Sequence, residues 1–197
     1  MALNLEKQLL FYGSYHHDPV NVGIHITCVP LILMTAFLLG TNSLHFELPS
    51  GLSIPYLPLN LGTAAATVYT TFYILLEPVA GAMIAPFIMG GAAYSSHLTS
   101  KYGATANYWA IGIQIVSWAA QFIGHGVFEG RAPALLDNLL QAFLLAPFFV
   151  WLEVLFFFGY RPELKSRLDK SVEQEVAKLK ASQKKEKANG TTNGFTR

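Results

Sequence analysis

The chain has 197 residues, of which 52% are hydrophobic and only 13% charged, with a formal net charge of +1; soluble domains carry about 25% charged residues. Between Gln8 and Tyr160 the only charged side chains are Asp18, Glu47, Glu77, Lys101, Glu129, Arg131, Asp137 and Glu153, whereas Arg161–Arg197 holds ten Lys/Arg and five Asp/Glu. This excludes a charge-covered soluble globule and gives no ground for a nucleic-acid partner; it describes a lipid-embedded body with a basic tail.

Met1–Tyr15 lacks the basic start, apolar stretch and cleavage site of a signal peptide, so insertion is expected to rely on the first spanning helix. Leu3–Phe11 has the spacing of a short amphipathic helix ended by Gly13. Asp18-Pro19 pairs an N-cap acid with proline at the first helical position. From Val20 to Gly40 the chain is almost wholly apolar, long enough to cross a hydrocarbon core of about 30 Å. Its Cys28 reads as a buried structural thiol with no disulfide partner in the chain. Thr41–Asn60, with Pro49, Pro55 and Pro58, reads as a loop. Leu61–Leu76 and Val79–Ser96 are apolar runs divided by Glu77-Pro78, which leaves open two crossings or a re-entrant hairpin; Asn107–Ile123 and Leu139–Phe158 follow. The expected fold is an all-α polytopic transmembrane bundle of about four to five membrane segments over residues 1–160.

Beyond Gly159, Leu164, Leu168, Val172, Val176 and Leu179 recur at helical spacing in a charged background. Residues 161–187 are expected as an amphipathic helix lying on lipid or on a partner, and 188–197 as a disordered tail. The positive-inside rule places this basic segment in the cytoplasm; Asn189-Gly190-Thr191 is a sequon whose modification would report a lumenal tail.

Polar groups at membrane depth are costly and are functional candidates. All six histidines lie in the body and none in the tail. In Tyr15-His16-His17-Asp18-Pro19-Val20-Asn21-Val22-Gly23-Ile24-His25, Asn21 and His25 are one helical turn apart, and His16 stands where the loop can fold back toward them. In Gly124-His125-Gly126-Val127-Phe128-Glu129-Gly130-Arg131, an α-helical spacing would point His125 and Glu129 the same way. Imidazoles joined by a carboxylate suit Fe(II) or Zn(II), and open coordination positions suit an iron oxygenase. The bland alternatives are interfacial hydrogen-bonding histidines, a capping role for His17, a snorkelling Arg131, and helix-end contacts for Glu77 and Glu153. His45 is read as an ordinary loop residue. His97 is kept as a further ligand candidate: five full crossings would put it on the opposite side from His25 and His125, and a re-entrant middle pair would bring it back.

At these motifs the sequence resembles the fungal 2-hydroxy fatty acid dioxygenase family. The likeness runs from Phe11-Tyr12 through His16, Pro19, Asn21 and His25, then Gln121–Glu129 with Arg131 and Pro133, and Ala146-Pro147-Phe148. The resemblance implies a multi-pass endoplasmic-reticulum enzyme that uses Fe(II) and O2 to α-oxidise 2-hydroxy fatty acids in phytosphingosine breakdown. The products are CO2 and an acid one carbon shorter. The substrate itself supplies the four electrons that reduce O2, so no 2-oxoglutarate or nicotinamide is required. His16, His25, His97 and His125 are then the expected metal ligands, with Glu129 and Asn21 ordering the site and Arg131 attracting the carboxylate. Six histidines are too few for a di-iron desaturase. A bis-histidine haem protein using His25 and His125, and a non-enzymatic scaffold or lipid carrier, are the competing readings. Substrate chain length and oligomeric state are not readable.

Overall fold

The computed structural model describes residues 4–43, 51, 54–130 and 139–192. Seven α-helices are found among them: α1 (Leu5–Gly13), α2 (Pro19–Gly40), α3 (Leu61–Leu76), α4 (Pro78–Tyr102), α5 (Ala104–Ile123), α6 (Leu139–Phe157) and α7 (Pro162–Thr192). A π-helical turn, Gly124–Glu129, extends α5 directly. The fold is a polytopic helical bundle. Three helices are long and apolar enough to cross a membrane alone, namely α2, α4 and α5 with its π turn; α3 is shorter, and α6 joins α7 through a 116° bend.

Local chemistry explains the helix starts. Asp18 accepts from the Val20 and Asn21 amides at 2.8 and 3.3 Å, and Pro19 needs no donor partner at that position. Asn60 caps α3 through the Thr63 amide at 2.9 Å. At Glu77-Pro78, Glu77 ends α3 in an extended conformation and caps α4 through the Ala80 amide. Gly81 permits the tight turn, because a Cβ there would lie 2.4 Å from the Tyr73 carbonyl oxygen. The two arms run back along each other, so that Tyr56, just before α3, meets His97 near the end of α4. The pair is thus an antiparallel hairpin running the length of α3.

The antiparallel pair α2/α5 positions everything that follows. At one end Asn42 and Asn107 exchange two amide hydrogen bonds of 3.0 Å. Midway Gln114 donates to the Ile32 carbonyl at 2.8 Å. At the other end Gly124 lies against Asn21, where a Cβ would come within 2.4 Å of Asn21 Oδ1. Near the Asn42 end stand the exposed aromatics Tyr102, Tyr108 and Trp109, the residue types that gather at membrane interfaces.

Helix α6 carries Pro147, which has no N–H for the Phe143 carbonyl one turn earlier. Tyr69 supplies the missing donor at 3.0 Å, and Tyr73 donates to the neighbouring Leu144 carbonyl at 2.8 Å. In lipid no water is available to do this. The amphipathic α7 packs on α1 of its own chain, burying Leu164 and Leu168 in the same apolar core as Leu9. Cys28 is half-buried rather than fully enclosed.

Candidate metal centre

Three elements bring three imidazoles together. Helix α1 and its trailing turn deliver His16, the first turns of α2 deliver His25, and the π turn delivers His125. Their ring centroids are 4.4 Å (His16–His25), 4.8 Å (His16–His125) and 4.9 Å (His25–His125) apart. One nitrogen from each lies within 4.8 Å of the others, and all three residues are buried.

The ring orientations are held from behind. His16 Nδ1 is 3.0 Å from the Tyr12 carbonyl and His25 Nδ1 is 2.9 Å from the Asn21 carbonyl. A carbonyl only accepts, so both Nδ1 atoms carry the proton and both Nε2 atoms keep their lone pairs. This is the arrangement found behind metal-binding histidines. Tyr12 also stacks on His16, with centroids 4.1 Å apart and planes at 14°.

Glu129 acts from outside the triad. Its side chain is 1% exposed, and Oε1 accepts from the amides of His17 (2.7 Å) and Asp18 (2.8 Å) and from Asn21 Nδ2 (3.1 Å). Oε2 lies 2.7 Å from His17 Nδ1. The carboxylate therefore fastens the end of the π turn to the N-terminus of α2, where the helix dipole favours negative charge. Asn21, wholly buried, completes the clamp.

Not every expected site residue joins this group. His97 packs between Tyr56 and Tyr94, two residues before Thr99, whose hydroxyl bonds to Thr41 at 2.7 Å. Thr41 is sixteen residues along α2 from His25, a rise of about 24 Å. The full depth of the α3–α4 hairpin thus sets His97 at the opposite end of the bundle. Arg131 and His45 lie outside the described residues. Two contributors were missed in the sequence: Tyr12, detectable from its helical spacing to His16, and Gly124, whose missing side chain admits Asn21. The π-helical turn itself was also unforeseen. It closes with the Gly130 amide on the His125 carbonyl and ends at Gly130 in the left-handed region, φ 62°, and such turns are frequent at functional sites.

Burial, followed by the neighbouring His25 imidazole, pushes His16 well below the ordinary imidazole value of 6.5. The unfolded chain binds a proton at His16 below about pH 6.5 where the folded chain does not, so stability rises with pH through that window. Melting of the metal-free protein in detergent is expected to fall as pH drops from 6.5, and His16→Gln should flatten that slope. An unchanged slope would show that His16 is not held neutral.

Below the triad lies a cavity of about 290 Å³ between α2, α5 and α6, walled mainly by apolar side chains such as Val29, Leu33, Phe143 and Phe149. Fold and site together define a multi-pass helical membrane protein with a buried tri-histidine centre, able to hold a metal ion, at the head of an apolar cavity. Residues 2–158 match the family described as Mpo1-like, 2-hydroxy-palmitic acid dioxygenase Mpo1-like. The chain belongs to that family, and it is a dioxygenase. It is 36% identical over 182 residues to the 2-hydroxy-palmitic acid dioxygenase MPO1 of Saccharomyces cerevisiae (strain ATCC 204508 / S288c), covering 90% of this chain and 95% of the relative. No solved structure matches it.

Proposed function

We propose that this protein is an Fe(II)-dependent dioxygenase that α-oxidises 2-hydroxy fatty acids to CO2 and an acid one carbon shorter. The observation that carries the reading is the buried triad of His16, His25 and His125, with ligand nitrogens within 4.8 Å of one another, opening on an apolar cavity. The yeast relative's name supplies the substrate class.

The donor set fits the metal. Three neutral imidazoles with no carboxylate among them leave coordination positions for a chelating substrate and for O2. When bound, Fe(II) supplies the Lewis acid for the substrate's hydroxyl and carboxylate oxygens and the redox route to O2. The chain does the rest. The Tyr12 and Asn21 carbonyls keep the His16 and His25 lone pairs turned toward the centre, and Glu129 and Asn21 hold the His125 turn against α2. The buried surroundings exclude bulk water, while the apolar cavity receives the acyl chain. Arg131, by its place just after Glu129 in the sequence, is proposed to attract the substrate carboxylate. The overall change balances: one O2 and one 2-hydroxy acid yield CO2, water and the shortened acid. A haem reading loses support from the same geometry, because imidazoles as close as 4.9 Å with a third beside them leave no slot for a macrocycle.

We assign residues 1–160 to the catalytic membrane domain and 161–187 to a cytoplasmic amphipathic helix. The proposed setting is phytosphingosine breakdown in the endoplasmic reticulum membrane, with the C-terminus cytoplasmic because Arg161 and Arg167, beside Glu77 and Glu6, lie at the triad end, while among the described residues the other end carries Lys101. Purified protein loaded with Fe(II) and given 2-hydroxypalmitate is expected to consume equimolar O2 and release CO2 and pentadecanoate. Absence of O2 consumption in protein that retains bound iron would sink the assignment.

A further inference from the structure

Two antiparallel helix faces of equal length wall the cavity. On α2 the lining runs from His25 down to Ala36, and on α5 it climbs from Gln114 through Trp118 to His125. Ala36 is eleven residues past His25 and Gln114 is eleven before His125, so each face descends about 16.5 Å below the triad. The amide of Gln114 is already engaged. Its Nε2 donates to the Ile32 carbonyl (2.8 Å) and to Thr35 Oγ1 (2.9 Å), and its Oε1 accepts from Trp118 Nε1 (2.9 Å). It therefore presents satisfied wall rather than a polar subsite. Below this level α2 and α5 close on each other through Leu38, Ala106 and Ala110, all buried in one apolar cluster. The lining of this partly open cleft ends at that level.

Carbon–carbon bonds of about 1.52 Å meeting at about 111° advance an extended chain by about 1.25 Å per carbon. A descent of about 16.5 Å then takes about thirteen carbons. We infer that the end of the lining at Ala36 and Gln114 is a ruler for the acyl chain: with its first two carbons at the triad, a 2-hydroxy acid fills the cleft at about fifteen carbons, and longer chains are selected against. The inference rests on the proposed reaction for the position of the head group; the depth belongs to the helices alone.

Ala36 is exposed, so a larger side chain there enters open space rather than packed core. Helical side chains lean toward the N-terminus, so the ring in Ala36→Phe fills the turn above it, about 5.4 Å or about four carbons. The test measures kcat/KM for 2-hydroxy acids graded in length on both sides of the predicted optimum. In parallel, the corresponding unhydroxylated fatty acids displace a fluorescent fatty acid from the purified protein. The optimum is expected to move about four carbons shorter in Ala36→Phe, with turnover of the shortest acids retained, and by less in Ala36→Leu. Ala36→Leu also serves as the readout if the phenylalanine variant does not fold. An unmoved optimum in an active variant overturns the ruler, as does displacement without length dependence. A displacement cutoff that shifts with Ala36→Phe in a protein inactive on every 2-hydroxy acid upholds the ruler and rejects the reaction.

Discussion

Replacing His125 with alanine is expected to remove metal binding and oxidation together, lowering activity by about a thousandfold or more, equivalent to about 4 kcal/mol of barrier. His125 is the one imidazole delivered from the second half of the chain, and its nitrogen lies within 4.8 Å of those of His16 and His25. Without it the remaining pair offers too few ligands to retain the ion against the solvent. His16→Ala and His25→Ala should behave alike, since removal of any of the three breaks the same site. His97→Ala supplies the contrast: its ring packs on Tyr56 and Tyr94 at the opposite end of the bundle, and its metal content should match the unaltered protein. Metal analysis of the purified, folded variants decides the matter. A His125→Ala protein that still holds stoichiometric iron and turns over would dismantle the proposed centre.

The second large effect is expected at Glu129. The carboxylate is 1% exposed and holds the His17 and Asp18 amides and the Asn21 side chain at 2.7, 2.8 and 3.1 Å. Glu129→Ala leaves the His17 and Asp18 amides and the Asn21 side chain without this acceptor and is expected to cost about 1–3 kcal/mol, the range for stranding hydrogen-bonded polar groups. Glu129→Gln keeps one acceptor oxygen but sets an amide donor or a rotated oxygen against His17. Its metal affinity should fall about 10- to 100-fold, as when an outer partner of a metal ligand is lost. Excess metal should then restore much of the turnover, because the three imidazoles remain. Metal titration separates the cases: an unaltered affinity in Glu129→Gln would show that the clamp does not position His125, and failure of excess metal to restore turnover would give the carboxylate a part in the chemistry itself.

Reading these residues as neighbours was possible only in part from their spacing. Asn21 and His25 share a face because one α-helical turn separates them, and that relation survives in the fold. The same rule applied to His125 and Glu129 presumed an α-helix. The π turn changes the angular step, sending the imidazole into the triad while the carboxylate reaches the amides at the start of α2. Nothing in Gly-His-Gly-Val-Phe-Glu marks the wider turn locally, because its cost is met by contacts with another helix. The amphipathic stripe of α7 was legible from Leu164 and Leu168, but its partner, α1, was not: periodicity shows that a face must be covered and says nothing about what covers it.

By itself the sequence determined what depends on neighbours a few residues apart and on transfer out of water. These are the apolar spans, the Asp18-Pro19 helix start, the break at Glu77-Pro78 and a chain whose histidines all sit in its apolar body. Tertiary structure alone decided that α2 and α5 pair antiparallel along their length, bringing residues 16, 25 and 125 together and carrying residue 97 away. The physical reason is one of range. Capping and hydropathy act within a turn or two of helix, whereas the meeting of His16 with His125 depends on which helices pack and in which direction, a choice made by small residues such as Gly124 and by polar bonds such as Asn42–Asn107 far along the chain.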